Sequence, residues 1–149
     1  MNKKLMISIL LAICVFFIWF FKVENDYKEK ELEEAAFRTF FEQVKKDSEI
    51  TEGYRHGKQS KEVFELSKEN VITTFELLTM NYRALKMDDT DRYHDILQLF
   101  PQYWQLTSHK DVTNAQRQSI DYILSEFERT NEEVKLEATN KKIFYYKIR

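Results

Sequence analysis

Residues 5–23, LMISILLAICVFFIWFFKV, form one apolar run through Leu5, Leu11, Cys14, Trp19 and Phe21; Ser8 and Cys14 are its only polar side chains before Lys22. At 1.5 Å per residue a helix of this length covers roughly 28 Å, close to the hydrocarbon thickness of a bilayer. Lys3 and Lys4 flank one end and Lys22 the other, where long stems carry their charge out to headgroups. The run predicts a single-pass transmembrane anchor behind a short basic tail, residues 1–4. A cleaved signal peptide needs small residues just after a shorter core. Here the core ends Phe20-Phe21-Lys22-Val23-Glu24, and the nearest small pair is Ala35-Ala36. A lipoprotein signal fits no better, because Ile13 stands where a small residue is needed and Cys14 lies mid-run. An uncleaved signal anchor remains.

Beyond the anchor the pattern becomes helical. Over 24–47, Leu32, Ala36, Phe37, Phe40, Phe41 and Val44 fall on one face, and no breaker separates them from the apolar run. Anchor and stalk together predict one helix of about 40 residues. Both glycines, Gly53 and Gly57, lie in SEITEGYRHGKQS, which reads as the first loop. A second helix follows over 61–87, with Val71, Phe75, Leu78, Tyr82 and Leu85 at the alternating spacing of a helix–helix seam. Asp88-Asp89-Thr90 supplies caps for a third helix that turns Tyr93, Ile96, Leu97 and Phe100 inward. Pro101 predicts its end or a kink, with Tyr103, Trp104 and Leu106 continuing the apolar surface. Thr113 and Gln116 match a capping box opening a fourth helix, whose inward residues are Ile120, Ile123, Leu124 and Phe127.

These elements predict an all-α protein: a transmembrane helix, a stalk, and a small antiparallel helical bundle over 60–134. The last segment, 135–149, is β-prone. Val134, Leu136 and Ala138 alternate, and Ile143-Phe144-Tyr145-Tyr146 follows a Thr139-Asn140 turn. A short terminal hairpin or strand is the first expectation there; continuation of the helix and an irregular tail are the alternatives.

Charge and composition narrow the function classes. The chain has 23 basic and 25 acidic residues; with Lys3, Lys4 and Lys22 set aside as anchor flanks, the rest carries a clear acidic excess. Nucleic acid is therefore a poor partner. The single cysteine, Cys14, permits no intramolecular disulfide, and two glycines with one proline argue against a turn-dense β fold. Lys3, Lys4 and the terminal amine favour a cytoplasmic start, whereas Lys22, Lys28, Lys30 and Arg38 pull the other way. The reading favoured is N-terminus inside and the domain outside the cell membrane.

No catalytic signature stands out. Asp91 and His94 have the i, i+3 spacing of a bundle metal site, but no second copy of the motif exists, and capping accounts for Asp88, Asp89, Asp91 and Asp95. His56 and His109 lie in polar loops without a matched nucleophile. Gly53 to Lys58 is one residue short of a phosphate loop, is followed by Gln59 instead of Ser or Thr, and succeeds a helix. No cofactor, no metal and no catalytic residue are expected. Arg55, His56, Lys58 and Lys61 make that loop locally cationic and are candidate headgroup contacts. Eight Phe, eight Tyr and Trp104 lie outside the anchor. Phe40, Phe75, Tyr82, Phe100 and Phe127 fit the core stripes, while Tyr103, Trp104, Tyr145 and Tyr146 are candidate partner-facing residues. Lys141, Lys142, Lys147 and Arg149 around Ile143 to Tyr146 would alternatively suit a bilayer surface.

The run VITTFELL at 71–78, the acidic turn at Asp88, Trp104 and Ser125 to Glu128 together resemble a bacterial family of membrane-anchored helical proteins of unknown function. The resemblance spans residues 68 to 130, departs at Ala84-Leu85-Lys86 where the family tends to place a glycine, and implies a single anchor with an α-helical domain. It transfers no activity. The resulting expectation is a membrane-tethered, non-enzymatic helical module acting by protein–protein contact, in an envelope assembly or as an immunity or exclusion factor, with homo-oligomers allowed. The alternative is a sensor for a small apolar or lipid ligand.

Overall fold

The computed structural model describes residues 3–85, 90–109 and 111–148, and among these every regular element is a helix. They are α1 (Lys3–Arg55), α2 (Lys61–Leu85), α3 (Thr90–Thr107) and α4 (Asn114–Ile148). With no proline or glycine before Gly53, nothing stops α1, and its 53 residues extend about 80 Å. The apolar run and the amphipathic segment after it are one rod. The expected break at 48–60 is shorter than the composition suggested. The helix passes through Gly53 and stops where Gly57 takes φ 69°, a left-handed value that glycine adopts without steric cost. The Lys58 N–H donates to Gly53 O at 2.7 Å and the Gly57 N–H to Tyr54 O at 3.0 Å, the paired bonds of a Schellman end. Ser60 then caps α2, accepting from the Val63 N–H at 3.3 Å.

The four helices run up, down, up and down. Phe40 faces Phe75 of α2 and Phe127 of α4, and Tyr103 of α3 reaches Val44 of α1. At the centre each helix contributes one phenylalanine. Phe40 lies 6.0 Å from Phe75, 5.8 Å from Phe100 and 5.4 Å from Phe127, and Phe75 stacks on Phe100 at 4.0 Å. These rings fill the interior, and Val44, Val71, Leu78, Ile96, Ile123 and Val134 complete the core.

Four expectations are corrected, one of them Leu97, which the spacing turned inward with Tyr93, Ile96 and Phe100 but which is 37% exposed. Leu32 is exposed; the inward face of α1 is Glu33, Phe37, Phe40, Val44, Asp47 and Thr51, a +4, +3 seam carrying three polar residues. Pro101 neither ends nor breaks α3, because it lies on the exposed face while Tyr103 and Thr107, further along, are fully buried and hold the last turns down. The terminal hairpin or strand is absent: α4 continues to Ile148. Leu136 drove the alternating pattern and is 62% exposed, whereas Val134, Ala138 and Tyr145 extend the buried face of Ile123, Phe127 and Thr130. The Thr113 capping box forms as expected, the Thr113 N–H donating to Gln116 Oε1 at 2.8 Å and the Gln116 N–H to Thr113 Oγ at 3.3 Å. The Asp88-Asp89 cap lies outside the described residues.

Candidate functional site

The apolar run stands clear of the bundle. Among the described residues one helix is long and apolar enough to cross a membrane, and its most apolar 18-residue window is wholly unburied. Leu11, Trp19 and Phe21 all face outward, as does Cys14; the side chain of Leu5 lies outside the described set. Van der Waals contact with the bundle begins at the end of the run, where Phe20 meets Tyr145 at 6.2 Å and Tyr145 stacks on Tyr27 at 5.0 Å. The C-terminal end of α4 thus returns to the base of the anchor.

The four candidate partner-facing aromatics do not form one patch. Tyr103 is fully buried and Trp104 half-buried. Tyr145 is buried against α1, and only Tyr146 is open to solvent. Tyr103 sits level with Asp47 and Tyr145 level with the segment between Phe20 and Tyr27, so the two pairs are separated along the bundle by on the order of 35 Å. The candidate headgroup residues are equally dispersed in role. Arg55 points inward, with its Nη2 donating to Leu106 O at 2.9 Å and to His109 O at 3.1 Å, and its Nη1 to Glu52 Oε1 at 2.6 Å. It thereby neutralises the carbonyl end of α3 and ties it to α1. His56, Lys58 and Lys61 are exposed, but this loop is at the far end of the bundle, on the order of 48 Å along α1 from Val23.

What the sequence did not suggest is a polar cluster at the heart of the bundle. Asp47, fully buried, accepts from Ser67 Oγ at 2.8 Å on one oxygen. Its other oxygen accepts from Lys68 Nζ at 2.7 Å and from the Tyr103 hydroxyl at 2.7 Å. The Val44 carbonyl lies 3.1 Å from the same hydroxyl. The Lys68 ammonium also sits over three rings, 5.3 Å from Phe64, 5.6 Å from Tyr103 and 5.7 Å from Trp104. Burial pushes the Lys68 amine below its ordinary pKa, against the opposing pull of Asp47. Burial and the adjacent Asp47 charge push the Tyr103 phenol up. The signal for this cluster was present: Asp47 falls in phase with Phe40 and Val44, Lys68 in phase with Val71 and Phe75, and Tyr103 with Phe100. Polar residues on an apolar seam mark a buried network. Its donors and acceptors are turned on one another, so its chemistry is to fasten α1, α2 and α3 in one register.

A second cluster joins α1, α3 and α4 nearer the apolar run. Lys30 Nζ contacts Glu33 at 2.8 Å and Glu137 at 3.1 Å, and Arg92 reaches Glu137 at 3.0 Å and Glu133 at 3.4 Å. Desolvation would raise the Glu137 pKa, but its bonds to Lys30 and Arg92 outweigh it and hold the group below its ordinary value. A depressed carboxylate stabilises the fold above its unfolded pKa and loses that contribution as pH falls through the folded value. Glu137→Gln is therefore expected to lower stability at neutral pH by up to about 1 kcal/mol, the pair being partly solvated. In urea titrations carried into acid, as pH falls through the folded value of Glu137, the variant and the parent should converge; a constant difference at all pH values would assign the loss to packing.

His94 and Gln98 contact each other at 2.6 Å on an exposed face; the Asp91 side chain lies outside the described set. Among the described residues no group of three or more His, Cys, Asp or Glu is placed to hold a metal. Comparison with protein-family models, with curated proteins and with solved structures gives no match.

The remaining distinctive surface is the outward side of α2. Val63, Leu66, Leu77 and Met80 are all exposed. At 100° per residue they share an arc of roughly 120° with Asn70, Thr73, Thr74 and Asn81, on the side opposite Val71 and Phe75. Apart from Glu62 at its edge in the first turn, the arc carries no charge, and Glu65, Glu69 and Glu76 lie to one side. Beside it, Leu32, Ala35, Ala36 and Thr39 of α1 and Thr74, Leu77, Leu78 and Asn81 of α2 line an open groove of about 260 Å³.

Proposed function

We propose that this chain is a membrane-tethered, non-enzymatic helical module that acts by protein contact, in a bacterial envelope assembly or as an immunity or exclusion factor. Its bundle stands outside the cell membrane on a single-pass anchor, residues 5–23. The observation that carries this reading is the second apolar stripe of α2. A helix in a four-helix bundle needs one apolar face, and α2 carries, besides the one against the core, an uncharged outer arc in which Val63, Leu66, Leu77 and Met80 face solvent among Asn70, Thr73, Thr74 and Asn81. Such a stripe, with a groove for a protruding side chain next to it, suits an amphipathic helix of a partner. The filled aromatic centre supports a contact function over a ligand held between the helices; the small-ligand reading is retained for the groove between α1 and α2, which has room for a single apolar chain.

The test is site-specific photo-crosslinking of the intact protein in its own membranes. A benzophenone side chain at position 66 or 77 is expected to capture a defined protein, whereas one at exposed Asp121 or Glu128 on α4 is not. With the probe at 66, Leu77→Glu together with Met80→Glu should abolish capture while leaving helicity unchanged, because neither residue is packed in the core. Capture of lipid alone at position 77 would favour the ligand reading. Recovery of the uncrosslinked monomer from every position would defeat the contact reading.

A further inference from the structure

The end of α4 changes character where it meets the anchor. From residue 114 to 137 the helix carries six acidic and three basic residues, and its outward positions include Asp121, Glu128, Arg129, Glu132 and Lys135. From 138 to 148 it carries no acid and three lysines, Lys141, Lys142 and Lys147. None of the three lysines is in an ion pair among the described residues, whereas Lys28 and Lys30 opposite them on α1 are paired. The apolar residues change as well. Tyr145 alone is buried against α1, while Ile143, Phe144 and Tyr146 are 50%, 49% and 58% exposed. Turned 100° apiece, Ile143 and Phe144 point to sides that α1 does not cover, and Tyr146 flanks α1 with its edge on Tyr27 at 6.4 Å. A helical turn that is apolar all round belongs in an apolar surrounding.

Its height says which surrounding. Tyr145 stacks on Tyr27 and meets Phe20 at a tilt, level with the last residues of the apolar run. Because α4 runs antiparallel to α1, its final three residues descend about 5 Å further, alongside the run itself. At that level Trp19, Phe20, Phe21 and Tyr27 of α1 join Tyr145 and Tyr146 in a band of aromatic residues, with Lys22 and Lys147 beside them. Aromatic rings and long cationic stems are the side chains that settle at the boundary of headgroups and acyl chains.

We propose that residues 141–148 of α4 are a second membrane contact: a cationic, aromatic foot that inserts into the interface of an anionic lipid bilayer beside the anchor. The foot rests on the reading of residues 5–23 as a membrane span. It gives the bundle two attachment points in place of one, so that the bundle stands at a fixed height and rotation over the bilayer and the stripe of α2 faces along the membrane plane in a set direction.

The experiment uses the full chain with Cys14→Ser and a single new cysteine, Phe144→Cys at the foot or Tyr122→Cys at the far end of α4, where the native residue is also exposed. Each is labelled with an environment-sensitive fluorophore and reconstituted into phosphatidylcholine vesicles with and without phosphatidylglycerol. The label at 144 is expected to emit further to the blue, to be quenched by lipid-borne nitroxide, and to be about fivefold less accessible to aqueous iodide than the label at 122. Replacing Lys141, Lys142 and Lys147 by glutamate should reduce that protection, most strongly in vesicles containing phosphatidylglycerol. Ile143→Cys, labelled in the same way, guards against a local defect at 144, and unchanged helicity confirms that each variant is folded. Equal iodide access at 144 and 122, in protein that resists carbonate extraction, overturns the foot and leaves the tether standing. Protection at 144 that grows with protein density and shows no nitroxide quenching overturns it in favour of a second copy. Release of the protein by carbonate overturns the tether, and the foot with it.

Discussion

Asp47→Ala is expected to destabilise the bundle by about 3–5 kcal/mol, the largest loss from any single polar substitution in this chain. The substitution removes one carboxylate but strands two groups. The Lys68 ammonium loses its counterion and Ser67 its acceptor, while the Tyr103 hydroxyl is left with the Val44 carbonyl alone. Each is buried, so water cannot replace what is lost without opening the seam between α1, α2 and α3. The measurement is chemical unfolding of the full chain in mild detergent, followed by Trp104 emission in a Trp19→Phe background. Trp104 reports directly, since its ring lies 5.7 Å from the Lys68 ammonium. Asp47→Leu combined with Lys68→Met should recover most of the loss, because a buried pair replaced by apolar side chains of similar volume is often neutral. The pH dependence has a defined sign. Lys68 titrates below its ordinary value in the fold, so its burial costs stability at neutral pH. That cost is relieved as pH rises from the folded value toward the unfolded one, near 10.5. Without Asp47 the folded value drops further, and the Asp47→Ala variant should gain stability on mild alkalinisation more steeply than the parent. A loss below 1 kcal/mol would show that the cluster does not hold the register.

Much of this architecture was legible because helices advertise themselves by period. The Thr113–Gln116 box, the stripe of Val71, Phe75 and Leu78, and the core phenylalanines all follow from spacing alone, and each stands where the spacing put it. What escaped was whatever depended on a partner helix. Leu32 and Leu136 are apolar, and spacing alone points apolar residues inward; both face solvent because the seams are fixed elsewhere, in α1 by Phe37 and Phe40 about a quarter turn or more away and in α4 by Phe127 and Val134 about half a turn away. Asp47 and Lys68 are charged, and charge by itself points outward; they satisfy one another only once α1 and α2 are side by side. Pro101 is a helix breaker in isolation, and its cost is offset here by Tyr103 and Thr107 locking the turns beyond it. The terminal segment reads as β-prone from Ile143 to Tyr146, but Tyr145 has a stacking partner, Tyr27, more than a hundred residues earlier. Local propensity yields to such a contact.

Leu11→Arg combined with Val15→Arg is expected to move the protein from the membrane fraction to the soluble one while leaving the bundle folded. Each arginine at mid-span costs about 2.5–3.5 kcal/mol on insertion scales, and neither position is close enough to Lys4 or Lys22 for the side chain to reach an interface cheaply. Together they offset most of the several kcal/mol that the other apolar residues contribute. The two positions lie one helical turn apart on the same face, so a single interface cannot accommodate both by tilting. The bundle should be indifferent, because no part of the apolar window is buried within the protein and the aromatic contact to α4 begins only at Phe20. Unfolding midpoints of the double variant should therefore match the parent, whereas the same substitutions in a core helix would abolish folding. Val15→Leu should change neither property. The same variant separates tethering from recognition. The stripe on α2 remains intact in it, so partner capture at positions 66 and 77 should fall only through the lost confinement to two dimensions, and should return when partner and bundle are mixed at high concentration. Capture that persists undiminished in the soluble double variant would mean that the anchor contributes nothing to finding the partner. A mature chain beginning beyond Phe21 would identify the run as a discarded leader and defeat the tethered reading outright.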